Sequence, residues 1–111
     1  MAESRQSTAI VTVGKLSRED ILSACPSVPD HVVYREFVNE TVVLNLETGT
    51  YHGLNTSGGK MLETLRAAAT VREAAADLAA HYSTPVPKIE EDLHAFCLHL
   101  LDLGLVELSN D

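Results

Sequence analysis

The chain has 111 residues, 45% of them hydrophobic and 22% charged, which suits one soluble domain with a single core. Its formal net charge is −8, from 16 acidic and 8 basic residues that form no basic cluster in sequence. Nucleic-acid binding depends on Lys and Arg contacts to phosphates, so no nucleic-acid partner is expected. No apolar run approaches the roughly 18 residues of a membrane span, and a signal-peptide core is missing, so we expect a cytoplasmic protein with no membrane partner.

Residues 1–30 are predicted to form a weakly structured N-terminal arm. They are rich in Ser and Thr and contain Pro26 and Pro29. Residues 9–13 have the composition of a strand, and Ser17 is a candidate N-cap for a short helix. A second part, residues 31–108, is predicted to be the folded domain.

Three antiparallel strands are predicted to open this domain, over residues 31–38, 41–46 and 51–54. In the first, Val32, Tyr34 and Val38 are expected to share one face. Asn39 and Glu40 form a polar break that favours a hairpin turn. In the second strand, strict alternation separates two sets of side chains: Val42, Leu44 and Leu46 on one face, and Val43 and Asn45 on the other.

Three helices are predicted to follow, over residues 57–67, 70–82 and 87–103. Thr70 and Glu73 form a capping box for the second, and Gly104 ends the third before an extended segment, residues 105–108. The order of three strands and then three helices predicts an α+β fold of the winged helix-turn-helix type, in which a three-stranded antiparallel sheet is covered by helices.

Side chains suited to catalysis or metal binding do not form a recognisable site. His94 and His99 are five residues apart, about 140° around a helix, so they cannot form a zinc pair of the i,i+4 type. The five histidines are expected at edges or in solvent. Cys97 lies on the apolar stripe of the last helix, and Cys25 and Cys97 are far apart in sequence with no metal-type spacing, so two reduced thiols are expected. We therefore predict no enzyme activity, no catalytic residues, no metal and no cofactor.

Residues 57–60 (Ser-Gly-Gly-Lys) resemble a phosphate-binding loop, but we expect them to have a structural role. They lack the spacing of a phosphate-binding loop, and Lys60 falls inside a predicted helix. The two glycines are expected to let this helix approach the sheet closely.

Several segments of residues 31–108 resemble the PqqD-like proteins, which are leader-peptide recognition domains of ribosomally made, modified peptide pathways. The resemblance rests on residues 43–46 (Val-Leu-Asn-Leu), 49–55 (Gly-Thr-Tyr-His-Gly-Leu-Asn), 56–58 (Thr-Ser-Gly), Met61, Leu62, Thr70, Ala74, Leu78, Asp92, Leu93, Phe96, Leu100 and 104–106 (Gly-Leu-Val). Residues 47–49 (Glu-Thr-Gly) replace the Pro-Glu-Gly-like turn of the quinone pathway members. The compact stand-alone form looks more like the small recognition proteins of lasso-peptide clusters.

The resemblance implies a binding function in which the leader of a precursor peptide adds as an antiparallel strand to the third strand, beside the last helix. Carried over to this sequence, the binding edge comprises Tyr51, His52, Gly53 and Leu54. The helix wall is drawn from Ile89, Asp92, Leu93, Phe96 and His99. Gly53 is expected to leave room for a bulky leader side chain, and an apolar anchor is expected between Tyr51 and the helix.

Two kinds of partner follow from this resemblance: the precursor peptide, and a leader peptidase or modifying enzyme of the same pathway. Two alternatives stay open, a winged-helix transcriptional regulator and a structural or assembly subunit. A regulator would need a basic recognition helix, whereas the last helix holds four acidic residues against Lys88 alone.

Overall fold

The computed structural model describes residues 17–109, and within this range it contains four helices and five strands. In chain order these are α1 (Arg18–Leu22), β1 (Cys25–Ser27), β2 (Val32–Glu36), β3 (Glu40–Asn45), β4 (Thr50–Asn55), α2 (Thr56–Ala67), α3 (Val71–Tyr82), α4 (Val86–Asp102) and β5 (Glu107–Ser109). The predicted α+β fold is confirmed, and α1 corresponds to the short helix expected after Ser17, ahead of the three helices predicted for residues 31–108. None of the helices in residues 17–109 is both long and apolar enough to span a membrane.

Side chains at the helix starts explain where the helices begin. The Asn55 side chain accepts a hydrogen bond from Gly58 N at 2.8 Å, so one residue ends β4 and caps α2. Thr70 caps α3 by accepting from Glu73 N at 3.1 Å. Ser17 caps α1 within a complete capping box, as predicted from the sequence. At the far end of α4, Gly104 takes a positive φ of 73°, a conformation that favours glycine.

The three-stranded sheet has the order β2-β3-β4, with antiparallel pairing throughout. Phe37 N donates to Glu40 O at 2.7 Å, which closes the β2–β3 hairpin around Val38 and Asn39. The turn therefore lies one residue earlier than predicted. Val38 is 92% exposed in it, so the expectation that Val38 shares a strand face with Val32 and Tyr34 is wrong.

Alternation in β3 decides which face of the sheet is covered. Thr41, Val43 and Asn45 are buried beneath the helices, whereas Val42 and Leu44 lie on the opposite, outer face. The predicted separation of these two sets is confirmed. The covered set includes two polar residues, and the Asn45 Oδ1 accepts from Glu47 N at 2.9 Å in the following turn.

Close contact between α2 and β3 depends on a glycine. A Cβ atom at Gly59 would collide with the hydroxyl of Thr41, so the helix approaches the strand at a distance that only glycine permits. This confirms the structural interpretation of the Ser-Gly-Gly-Lys segment. The apolar core then forms between the sheet and the helices, and its fully buried large side chains are Ile21, Val43, Leu62, Leu65, Val71, Leu78, Leu93, Cys97, Leu100 and Leu105.

The structure corrects the expectation of a weakly structured arm for residues 17–30. Ile21 is fully buried and Leu22 is 3% exposed, so α1 contributes to the core. Ala24 O accepts from Val71 N at 3.0 Å, and β1 pairs antiparallel with β5, placing Cys25 opposite Ser109. Residues 17–30 thus complete the domain. The predicted strand over residues 9–13 lies outside the described part of the chain.

Candidate functional site

The outer edge of β4 carries backbone groups that point away from the sheet. Along an antiparallel ladder, residue pairs that are hydrogen-bonded to each other alternate with pairs that are not. Because Phe37 and Glu40 form a hydrogen-bonded pair between β2 and β3, the next residue of β3 and every second one after it turn their backbone groups toward β4. These residues are Thr41, Val43 and Asn45. Leu54, His52 and Thr50 of β4 lie opposite them in the register. The N–H and C=O groups of Tyr51 and Gly53 therefore face outward, and no other strand within residues 17–109 pairs with them. Such a row of groups can template an additional strand.

The side chains of β4 alternate between the two faces of the sheet. His52 and Leu54 are half-buried on the helix side, in register with buried Val43 and Thr41. Tyr51 is 73% exposed on the outer face. The expected anchor position between Tyr51 and the last helix is therefore not formed, and an anchor on the helix side would lie near Leu54.

The predicted wall residues of the last helix lie along one side of α4. Ile89, Asp92, Phe96 and His99 follow the i, i+3, i+7, i+10 spacing of a single helix face. Ile89 and Phe96 are half-buried, and Asp92 and His99 are exposed. Leu93 differs from them because it is fully buried, so it supports the wall from within the core.

Gly58, in the first turn of α2, lies close to residues of both β4 and α4. A Cβ atom added to Gly58 would lie 3.3 Å from the Leu54 Cβ and 3.6 Å from Phe96 Cε1. Position 58 is therefore close to both Leu54 and Phe96, and it places no side chain beside them. Gly58 is not among the site residues predicted from the sequence, although the helix start at which its N–H donates to the Asn55 side chain follows from the sequence pattern.

Polar side chains near this edge include a charged pair on α4. Asp92 accepts from Lys88 Nζ at 3.2 Å in an exposed i,i+4 pair, which contributes little stability. Across residues 17–109, no group of three or more His, Cys, Asp or Glu residues is placed to hold a metal ion.

The last helix also holds Cys97 and His94, two side chains of the types that serve in catalysis or metal binding. Burial raises the pKa of the Cys97 thiol from 9.0 to about 12, so the thiol stays protonated and packs as an apolar group. His94 is half-buried rather than solvated, and its Nε2 is buried with no hydrogen-bond partner from residues 17–109. The expectation of a solvent or edge position is wrong for His94.

Comparisons with known proteins match this fold and this region. A protein-family model described as Coenzyme PQQ synthesis protein D (PqqD) matches residues 40–106. Among curated proteins, none matches the sequence. One similar solved structure is TbiB1 in complex with the TbiA(beta) leader peptide, with 33% identity, a TM-score of 0.67, and coverage of 73% of this chain and 94% of that chain. Another is lasso peptide synthetase B1 complexed with the leader peptide, with 19% identity, a TM-score of 0.67, and coverage of 76% and 99%. At 19% identity, the similarity to the second structure is a similarity of fold.

Proposed function

The chain belongs to the PqqD family, and on that premise we propose that it binds the leader region of a ribosomally synthesised precursor peptide by β-strand addition. It then presents the bound peptide to a leader peptidase or modifying enzyme of the same pathway. TbiB1, to which this chain is 33% identical, is seen in complex with a leader peptide. The sequence of residues 31–108 resembles the small recognition proteins of lasso-peptide clusters, which supports a pathway of that class.

The observation that carries the proposal is the open edge of β4. Outward-facing backbone groups at Tyr51 and Gly53 supply affinity that is independent of side chains. Leu54 and Phe96, half-buried on the helix side of the same edge, supply an apolar contact for an alternate residue of the peptide. The leader thus lies between β4 and the exposed side of α4, with Ile89, Asp92 and His99 along its path.

Binding of separate leader and core peptides tests the proposal directly. We expect the leader to bind with a micromolar or lower Kd, about −8 kcal/mol or better, in calorimetry or fluorescence polarisation. The core peptide should not bind. Two leader peptides should be compared, one N-methylated at the odd-numbered residues and one at the even-numbered residues. Only one of them should bind at least tenfold more weakly than the unmodified leader, because only one set of amides faces β4. Equal binding of leader and core would contradict the proposal.

Two substitutions at Gly53 test the same edge from the protein side. Gly53→Pro removes the outward N–H and should weaken leader binding at least tenfold, while the fold survives because an edge strand tolerates proline there. Gly53→Ala keeps the N–H, adds only a methyl group and is the matched control. Gly53 is not among the positive-φ glycines of residues 17–109, and its added Cβ would meet only Glu40 Oε2, at 3.2 Å. Circular dichroism checks both folds, and unchanged affinity in a folded Gly53→Pro protein would refute docking on β4.

A further inference from the structure

The opposite edge of the three-stranded sheet is also open. In β2, the ladder alternation directs the backbone groups of Tyr34 and Glu36 away from β3. Val32 N, the outward donor at the start of the strand, already binds Pro29 O at 3.0 Å. No strand within residues 17–109 pairs with this edge, so Tyr34 and Glu36 can accept a further strand.

A groove of about 640 Å³ runs along this edge, between β2 and the second half of α2. Its ionisable lining consists of three carboxylates, Asp30, Glu36 and Glu63, against the single guanidinium of Arg66 and the hydroxyl of Tyr34. Arg66 Nε donates to Tyr34 Oη at 2.6 Å, and the guanidinium carbon lies 5.8 Å from the centre of the Tyr34 ring. The arginine is thereby held on the tyrosine. Lys60 lines an adjoining cavity together with Glu36 and Glu63, and counting it, three carboxylates still face two cationic side chains.

We infer that this groove receives an extended basic segment of the protein that processes the bound peptide, added as a strand to β2. The processing role of that protein rests on the proposed function, whereas the basic, extended character of the segment rests on the groove. The two open edges are two strand spacings apart, about 10 Å, on opposite sides of β3. Both strands can therefore be bound together in one five-stranded sheet.

Charge distinguishes this occupant from a second copy of the chain. Pairing two β2 edges would bring Asp30, Glu36 and Glu63 of one copy close to the same carboxylates of the other. Each copy also carries a formal net charge of −8, which adds repulsion at longer range. A basic segment would instead be attracted both by the carboxylates of the groove and, at longer range, by the negative net charge of the chain.

The faces of β2 predict the side-chain pattern of the segment. Side chains pointing toward the helices would meet Glu36 and Glu63, which favours Lys or Arg at alternate positions. Side chains on the outer face would lie beside Val33, which is 45% exposed and favours apolar residues. At the end of the strand, the hairpin residues Phe37 and Val38 are 58% and 92% exposed and extend the apolar surface.

An octapeptide of four Lys-Val repeats is the probe for this inference. Titrated into the full ¹⁵N-labelled chain with saturating leader peptide, it should shift the amide signals of Tyr34 and Glu36 and leave those of Tyr51 and Gly53 unchanged. An octapeptide of four Glu-Val repeats should cause no shifts. N-methylation of alternate residues in the Lys-Val probe should weaken its binding at least tenfold in one register.

Two double variants separate local charge from net charge. Glu36→Gln with Glu63→Gln should weaken binding of the Lys-Val probe at least tenfold. Glu91→Gln with Asp102→Asn changes the net charge equally on exposed positions of α4 and should leave the affinity within about twofold.

The outcomes distinguish the inference from the proposed function. Equal binding of the Lys-Val and Glu-Val probes, shifts confined to Tyr51 and Gly53, or equal losses in the two double variants would each overturn the second site. Leader affinity measured in the same samples reports separately on the proposed function. Normal leader binding with no Lys-Val binding would refute only the second site.

Discussion

Leu93 and Phe96 lie one helical turn apart in α4 but have different surroundings. Leu93 is fully buried in the core, whereas Phe96 is half-buried beside Gly58 at the edge of β4. At the scale of single residues, exposure thus separates a side chain that supports the site from one that a bound peptide can touch.

Alanine substitutions should therefore separate stability from binding. Leu93→Ala should lower the free energy of unfolding by about 2–5 kcal/mol, because it removes a fully buried side chain. Phe96→Ala should cost less stability but weaken leader binding at least tenfold. Thermal melts and binding titrations on the same two proteins provide the measurement. Phe96→Ala with unchanged affinity would show that the leader does not contact this helix face.

At the scale of elements, the contact between α2 and β3 is governed by Gly59 and Thr41. Gly58 and Gly59 are neighbours in the same helix turn, yet an added Cβ would meet one tight contact at Gly58, 3.3 Å from Leu54 Cβ, and a collision with Thr41 at Gly59. The position of this helix on the sheet therefore depends on one of the two glycines much more than on the other.

This difference predicts an order of stability. Gly59→Ala should be the less stable variant, because overpacking costs about 1–3 kcal/mol and outweighs the gain in helix propensity. Gly58→Ala should stay within about 1 kcal/mol of the parent. Urea denaturation gives both values. Adding Thr41→Ala should cost less in the Gly59→Ala background than in the parent, and additive costs would argue against the proposed clash.

Local sequence signals predicted most elements but could not place them all in three dimensions. Cap residues such as Thr70 act through bonds within a few residues, so the helix starts were predictable. Alternation gave the relative faces of β3, but which face the helices cover depends on non-local packing, so the outer position of Tyr51 in β4 was missed. The burial of Ile21 was missed for the same reason, since α1 meets its partners only in the folded domain.

At the scale of the whole molecule, residues 17–109 form one core that buries an ionisable thiol. The unfolded chain releases the Cys97 proton near pH 9, whereas the folded chain retains it up to about pH 12. Folding is thus linked to protonation of a group that has no role in binding.

Stability should fall with rising pH in the alkaline range. Below pH 9 this thiol is protonated in both states and adds no pH dependence. Above that value the unfolded state binds fewer protons than the folded state, so the free energy of unfolding should drop by about 1.4 kcal/mol per pH unit until the folded pKa is reached. Urea titrations between roughly pH 8 and 11 measure the slope. Cys97→Ala should lack this component, and identical slopes in both proteins would contradict it.

The pairing of β1 with β5 determines how the described domain responds to tension. Cys25 lies opposite Ser109, and Ser27 lies opposite Glu107, so the two outermost residues form the first pair of the ladder. A force that pulls Cys25 and Ser109 apart loads their pair first and then each following pair of the ladder in turn. This is the unzipping geometry, in which the hydrogen bonds break one after another, and not the shear geometry, in which they are loaded together. Machines that unfold proteins by pulling on an end would therefore meet little mechanical resistance at this ladder, even though the adjoining helix α1 packs into the core.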